Sequence, residues 1–295
     1  MLGSSGMVGN RLADHLAQSG YRVYGFSRRS QLHHKQVWDA NQVDCYGKAR
    51  VDFEADTIVN CAGPSSKWAE ENPNQFKLFL TGHANSIEKL AIQTRAKQVV
   101  NMSSVHVYSN QLAGLVTENH THDNTHPYAL GHSTLEELLS RRLEVANLRL
   151  SNSYGPSGGL TNSTWTLFTH DLIRQFVTAA EGRISGNPYA TRDFIPLSEV
   201  VNSIEHIIKT KSTGAFNVVS SQTLRLADWA RYLAEVGSAI LDKRLVVKQE
   251  VSGVQVPEFS FVSDKLKSTG YTPCNDSRAE LESLFKIAIG VRDAK

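Results

Sequence analysis

Ser104, Tyr128 and His132 are the residues of this chain best suited by type and spacing to move a proton. Ser104 ends Asn101-Met102-Ser103-Ser104, which runs off an apolar stretch. Tyr128 stands in Pro127-Tyr128, at the start of a helical pattern, and His132 follows one turn later on the same face. A serine hydroxyl hydrogen-bonds a substrate oxygen, and a tyrosine phenol donates or accepts a proton at that oxygen. Alone, a serine after a strand equally suits a cap, and a tyrosine at a helix start equally suits packing. Their joint spacing is what marks them as catalytic candidates. An imidazole at its ordinary pKa of about 6.5 is partly charged at neutral pH, so the field of His132 on Tyr128 is expected to be weak and pH-dependent. His106 offers a further acid or base, although a histidine at a strand end commonly has a structural place. His120, His122, His126 and His132 cluster in sequence, but they match no common zinc spacing and no cysteine accompanies them. They read as solvated, and no metal site is expected.

A proton relay of this kind needs a partner for electrons, and the N-terminus offers one. Gly3-Ser4-Ser5-Gly6-Met7-Val8-Gly9 spaces glycines by three residues ahead of a helical pattern at 7–19. Glycine lets the backbone turn tightly against a pyrophosphate, and the helix start supplies free N–H groups and a favourable dipole. Gly3, Ser5, Gly6, Met7 and Val8 are therefore candidate dinucleotide ligands. The next strand pattern, 21–26, ends in Ser27-Arg28-Arg29. An acidic residue there accepts from a ribose 2′-hydroxyl, whereas arginine pairs with a 2′-phosphate, so the segment favours NADP over NAD. Asn60-Cys61-Ala62-Gly63 closes a later strand with small residues, leaving room for the cofactor at its carboxyl end.

The elements that must hold these residues alternate. Strand patterns at 56–63, 98–102 and 147–150 are separated by helical patterns at 73–94 and 128–145, which predicts an α/β protein with a doubly wound parallel sheet. Beyond Tyr154-Gly155-Pro156 the chain becomes rich in Gly, Ser, Thr and Asn. Strand and helix patterns return at 194–209 and 214–219, and a mixed tail follows. Only Met1 and Leu2 precede Gly3, where the central strand of such a sheet belongs, so the natural chain is expected to extend further upstream. Lys and Arg number 31 against 29 Asp and Glu, a net charge of +2 that gives no global attraction to nucleic acid or anionic membrane. No apolar run approaches the roughly 20 residues of a membrane span. The three cysteines, Cys45, Cys61 and Cys274, lack paired spacing, which suits reduced thiols and a cytoplasmic location.

These motifs together resemble the extended short-chain dehydrogenase/reductases, the branch containing nucleotide-sugar epimerases, dehydratases and reductases. The resemblance runs nearly end to end. Besides the glycine motif it rests on Ser104-x-x-x-Tyr108, Pro127-Tyr128, the run from Leu148 through Asn152 to Pro156, Arg192-Asp193-Phe194-Ile195-Pro196-Leu197, and Phe261-Val262-Ser263-Asp264-Lys265. The family pattern has Lys four residues after the tyrosine, where it binds the nicotinamide ribose and lowers the phenol pKa. His132 stands at that position here. The resemblance implies a Rossmann domain over 1–155 with about 192–220, and a smaller mixed substrate domain over about 156–191 and 221–295. It implies that Ser104, Tyr128 and His132 are catalytic and that Tyr128 and His132 also hold the cofactor. It further implies that Ser104, Asn152 and Arg192 bind a nucleotide-sugar. Dehydratases of the family carry Asp-Glu after the catalytic threonine. Here those positions are Val105 and His106, which leaves epimerisation or keto-reduction as the expected reaction. A homodimer through the helices at 73–94 and 128–145 is implied as well. The alternative is a protein that keeps the fold and cofactor but, lacking the lysine, acts as a regulator or scaffold.

Overall fold

Three strands of this chain each carry two apolar residues followed by asparagine: Ile58-Val59-Asn60, Val99-Val100-Asn101 and Val145-Ala146-Asn147. In the computed structural model they lie side by side and in register. The structure describes residues 1–26, 51–63, 65–108, 112–123, 125–158, 160, 164–249, 254, 256–274 and 276–293. Ser27, Arg28 and Arg29 therefore lie outside the described residues. The first half contains α1 (Met7–Gln18), β1 (Thr57–Asn60), α2 (Ser66–Glu71), α3 (Pro73–Thr94), β2 (Gln98–Ser104), β3 (Gly114–Val116), α4 (Pro127–Ser140) and β4 (Val145–Leu150). The second contains β5 (Asn152–Tyr154), α5 (Phe168–Ala179), β6 (Glu181–Ile184), β7 (Thr191–Pro196), α6 (Leu197–Thr210), β8 (Gly214–Val218), β9 (Thr223–Arg225), α7 (Leu226–Leu241), β10 (Val246–Gln249), β11 (Phe259–Phe261), α8 (Asp264–Ser268) and α9 (Ser277–Asp293).

The main sheet runs β1-β2-β4-β8, all parallel. Its alternating side chains feed two cores. Val59, Val100 and Ala146 pack with Leu12, Leu16, Val201 and Ile204 of α1 and α6. Their neighbours Ile58, Val99 and Val145 pack with Phe76, Ile87, Leu135 and Leu139 of α3 and α4. Burial on both faces explains why these strands read as near-continuous apolar runs, and the sheet is doubly wound as the sequence predicts. The asparagines form an amide ladder across it. Asn60 Nδ2 donates to Asn101 Oδ1 (2.8 Å), Asn101 Nδ2 to Asn147 Oδ1 (2.9 Å), and Asn147 Nδ2 to Ser140 Oγ (3.1 Å). His83 Nε2 closes the far end on Asn60 Oδ1 at 2.9 Å. Every amide in the row has partners, so the buried polar groups carry little unpaired penalty.

Two residues occupy the strand position ahead of the glycine motif. Leu2 N–H donates to Val59 O, Cys61 N–H donates to Leu2 O, and Phe26 N–H donates to Met1 O. Leu2 thus bridges Phe26 on one side and Asn60 on the other, both in parallel sense. α4 ends at Ser140, earlier than the periodicity to 145 predicts. Val145 and Ala146 are instead drawn into β4, where they pair with Val99 and Val100. A third core gathers Leu172, Ile173, Phe176, Trp229, Leu233, Leu284 and Phe285 of α5, α7 and α9. It flanks the three-stranded β5-β7-β9 sheet and the β6-β10 pair.

Candidate active site

The carboxyl ends of β1, β2 and β4 open onto one cavity of about 310 Å³. Cys61 and Ala62 line it from behind β1, Ser104 from the end of β2, and Asn152 from behind β4; Tyr128 and His132 face it from α4. Local sequence sets each of these in place. Ser104 caps a 3-10 turn at Val105–Val107, its Oγ accepting from His106 N–H at 3.2 Å. Pro127 occupies the first turn of α4, where its fixed φ suits a helix start and its missing N–H costs nothing. His126 caps that helix, its Nδ1 accepting from Tyr128 N–H at 3.3 Å. Asp123 Oδ1 in turn accepts from the N–H groups of Thr125 and His126, at 2.7 and 3.2 Å.

The side chains of Ser104 and Tyr128 line the same cavity. Burial raises the Tyr128 phenol above its ordinary value, and the nearby Ser104 hydroxyl opposes this only in part. The His132 ring meets Tyr128 edge-on, with centroids 4.5 Å apart and planes at 77°. Its Nδ1 is buried without a partner. Burial pushes the imidazole down to about 4, against the upward pull of the Glu136 carboxylate, and His106 adds to the lowering. The expectation of a partly charged His132 at neutral pH is therefore corrected. The ring is neutral, because desolvation outweighs the nearby carboxylate.

Behind the site lies a buried ion pair. Arg149 meets Glu136 through Nε–Oε1 at 3.1 Å and Nη2–Oε2 at 2.7 Å. Ser103 Oγ donates to Glu136 Oε1, and Arg149 Nη1 donates to the Tyr108 hydroxyl, which itself donates to Asn217. This network joins the strand carrying Ser104, the helix carrying Tyr128 and His132, and the strand leading to Asn152.

The structure separates the remaining candidates. Asn152 lines the cavity, with Nδ2 donating to Asp193 O at 3.0 Å. Arg192 is exposed, bonds the Thr191 carbonyl, and pairs with no carboxylate among the described residues. It lies outside the cavity lining but close enough to help hold His106 below its ordinary pKa. Asn60 is 1% exposed, and its amide is spent on His83, Asn101 and the Ala62 N–H, so it supports the strand end from within. Sequence reasoning missed the opposite wall. Phe168, Thr169 and His170 at the start of α5, together with Phe194, complete the cavity. Phe194 stacks on Trp229 at 4.6 Å, and Trp229 Nε1 donates to Thr169 Oγ1 at 2.9 Å. The amphipathic spacing of 168–179 marks a helix, but no local signal places its first turn against Ser104.

Gly3, Ser5, Gly6, Met7 and Val8 lead into α1, apart from the cavity lining. Their geometry fits a dinucleotide. α1 has no side-chain cap and no acidic residue in its first turn, which leaves its N-terminal dipole free for an anion. Gly3 has φ +74°, and a Cβ there would lie 2.7 Å from Ala62 N. A Cβ on Gly9 would lie 2.2 Å from Gly3 O. Ser4 Oγ is buried with no partner.

A doubly wound sheet, a glycine turn at its first helix and a hydroxyl pair at its carboxyl edge define a dinucleotide-binding α/β protein of the dehydrogenase type. Residues 1–219 match the NAD dependent epimerase/dehydratase family, and the chain belongs to it. Solved structures share the fold at low identity. A UDP-N-acetylglucosamine 4-epimerase from Methanobrevibacter ruminantium M1, in complex with UDP-N-acetylmuramic acid, aligns at 17% identity and a TM-score of 0.82, over 99% of this chain and 97% of that one. A UDP-glucose-4-epimerase from Stenotrophomonas maltophila, with bound NAD and formylated UDP-arabinopyranose, aligns at 17% and 0.80, over 100% and 98%. RMD from Pseudomonas aeruginosa, complexed with NADPH, aligns at 19% and 0.75, over 98% of each chain.

Proposed function

We propose that this chain is an NADP-dependent epimerase or keto-reductase acting on a nucleotide-sugar. The observation that carries the reading is that Ser104 and Tyr128 face one cavity at the carboxyl ends of the parallel strands. A nicotinamide cofactor, when bound, supplies hydride chemistry at the carbon bearing the reacting oxygen. Ser104 hydrogen-bonds that oxygen and Tyr128 carries its proton. The α1 entry, with Cys61 and Ala62, holds the dinucleotide. Ser27, Arg28 and Arg29 take the 2′-phosphate, and Tyr128 and His132 take the nicotinamide ribose. NAD and NADPH both occur in the structures of similar fold, and the two arginines turn the reading to NADP. Nucleotide-sugars bound in those structures support the substrate class. Asn152 and Arg192, which has no carboxylate partner among the described residues, are assigned to its phosphates. The cofactor part is taken as 1–155 with about 192–220, and the substrate part as about 156–191 and 221–295. Leu78 and Ile92 on α3 and Leu130 on α4 are exposed, which supports a homodimer through these helices. No helix among the described residues is long and apolar enough to cross a membrane, and the proposed location is the cytoplasm.

One observation favours a second reading. His132 is neutral, so Tyr128 lacks the cation that would lower its pKa. A protein that binds NADP and a nucleotide-sugar without turning them over needs no such cation. Incubating the chain with a panel of nucleotide-sugars and NADP+ or NADPH, with absorbance and product stereochemistry as readouts, separates the two. Turnover of one sugar supports the enzyme; tight NADPH binding with no turnover across the panel supports the regulator.

A further inference from the structure

Three histidines line the cavity, and among the described residues no aspartate or glutamate does. His170 is fully buried and His132 half-buried with Nδ1 sealed, and burial pushes both down to about 4, so each is neutral. His106 differs from them in being exposed, with its ring on the cavity. Its backbone N–H donates to Ser104 Oγ at 3.2 Å, and its ring meets Tyr128 edge-on, with centroids 6.1 Å apart and planes at 69°. The ring therefore stands beside the two hydroxyls assigned to the reacting oxygen.

Two further basic groups approach from other elements. Arg192 and Phe194 alternate to the same side of β7, and Phe194 lines the cavity. Arg192 is exposed and bonds the Thr191 carbonyl, with no carboxylate partner among the described residues. His126 caps α4, and its Nε2 lies 3.4 Å from Glu70 Oε1 of α2. Burial in the cavity wall, then Arg192, then His126, hold His106 below its ordinary pKa. Tyr128 and His132 face it from α4 without charge. The Glu136 carboxylate stands behind His132 and is committed to Arg149. A wall with basic groups and no acid of its own suits an anion.

We propose that His106 is the carboxylate-binding residue of this cavity and that the substrate class is a nucleoside-diphosphate uronic acid. The proposal rests on the nucleotide-sugar reading above. When C4 of a hexose carries the reacting oxygen, the diphosphate on C1 lies across the ring. The adjoining carbon, C5, bears the carboxylate of a uronic acid. With the C4 oxygen at Ser104 and Tyr128, that carboxylate is the substrate anion closest to His106. A substrate phosphate paired with Arg192 cancels one of the repulsions on His106. The carboxylate then favours the imidazolium, which donates to it in a charge-assisted hydrogen bond. The hydroxymethyl group of a neutral hexose offers no such bond and draws no proton to the ring.

The test is titration calorimetry, with no cofactor added, on two matched pairs: UDP-glucuronic acid against UDP-glucose, and GDP-mannuronic acid against GDP-mannose. Runs at pH 6 and 8, each in two buffers of different ionisation heat, count the protons taken up on binding. In at least one pair the acid should bind at least about tenfold more tightly than its neutral partner at pH 6. The margin should narrow at pH 8, and the acid should take up more protons than the neutral sugar. His106→Gln should erase both margin and uptake, while His106→Lys should keep the margin and lose the uptake; thermal unfolding checks that each variant is folded. Equal affinity and equal proton uptake within both wild-type pairs overturn the proposal and leave the nucleotide-sugar reading standing. So does a margin that persists in folded His106→Gln or is lost in folded His106→Lys. Absence of binding by all four sugars overturns the nucleotide-sugar reading and this proposal with it.

Discussion

His132→Lys probes the feature that sets this site apart. With its pKa at about 4, His132 carries charge in only about one molecule in a thousand at pH 7. Tyr128 therefore works against burial with the nearby Ser104 hydroxyl as its counterweight. The imidazole lies 4.5 Å from the phenol ring, centroid to centroid. A lysine ammonium at about 5 Å, in an effective dielectric of about 20, stabilises the phenolate by about 3 kcal/mol, or about two pH units. The assay is kcat/KM against pH from about 5 to 11, in the direction that oxidises a hydroxyl, together with NADP+ affinity by calorimetry. The base limb of His132→Lys should lie about two pH units below that of the wild type, and NADP+ should bind more tightly. Superimposable profiles and equal affinities would refute the reasoning, since they would mean that the residue at 132 neither tunes the phenol nor meets the ribose.

Four further outcomes follow from the structure. His83 and His170 are buried, and burial pushes each down to about 4. The unfolded chain, with histidines near 6.5, takes up protons first as pH falls. Their contribution is therefore complete above about 6.5 and is lost towards 4, at about 2 kcal/mol each by pH 5; urea unfolding at pH 7.5 and 5 should show the drop, and equal stabilities would contradict it. In Gly131→Ala the new Cβ would meet Phe76 Cε1 at 2.1 Å where α3 crosses α4, costing about 1–3 kcal/mol in denaturant melts, with recovery when Phe76→Leu is added. Gly9→Ala drives a methyl into the Gly3 carbonyl, a backbone atom that cannot step aside, so dinucleotide affinity by calorimetry should fall at least tenfold. Removing one partner of the buried Arg149–Glu136 pair, as in Arg149→Ala, strands a charge and should cost about 3–5 kcal/mol, read by thermal unfolding.

The sheet was legible because strands buried on both faces must be apolar along their length, as Ile58-Val59 and Val99-Val100 are. The glycine turn was legible because few other sequences let a backbone approach so closely. The Ser104–Tyr128 meeting was legible because an end-of-strand residue and a first-turn residue on the following helix share the carboxyl edge. The amide ladder was also written in the sequence, as apolar-apolar-Asn in β1, β2 and β4, but its register emerges only once the strands are paired. The neutral state of His132 was not legible, since residue type gives its ordinary pKa and burial alone moves it. The wall of Phe168, Thr169, His170 and Phe194 was hidden for a similar reason. Those residues lie more than 60 positions beyond Ser104, and a contact over that separation leaves no local pattern.

The central claim is that Tyr128 moves the proton of a nucleotide-sugar hydroxyl in this cavity. Its most direct test is Tyr128→Phe, which removes one hydroxyl and keeps the ring against His132. Turnover of whichever nucleotide-sugar the wild type converts should fall at least about 100-fold, while NADPH and the sugar still bind. Wild-type turnover in Tyr128→Phe would contradict the claim.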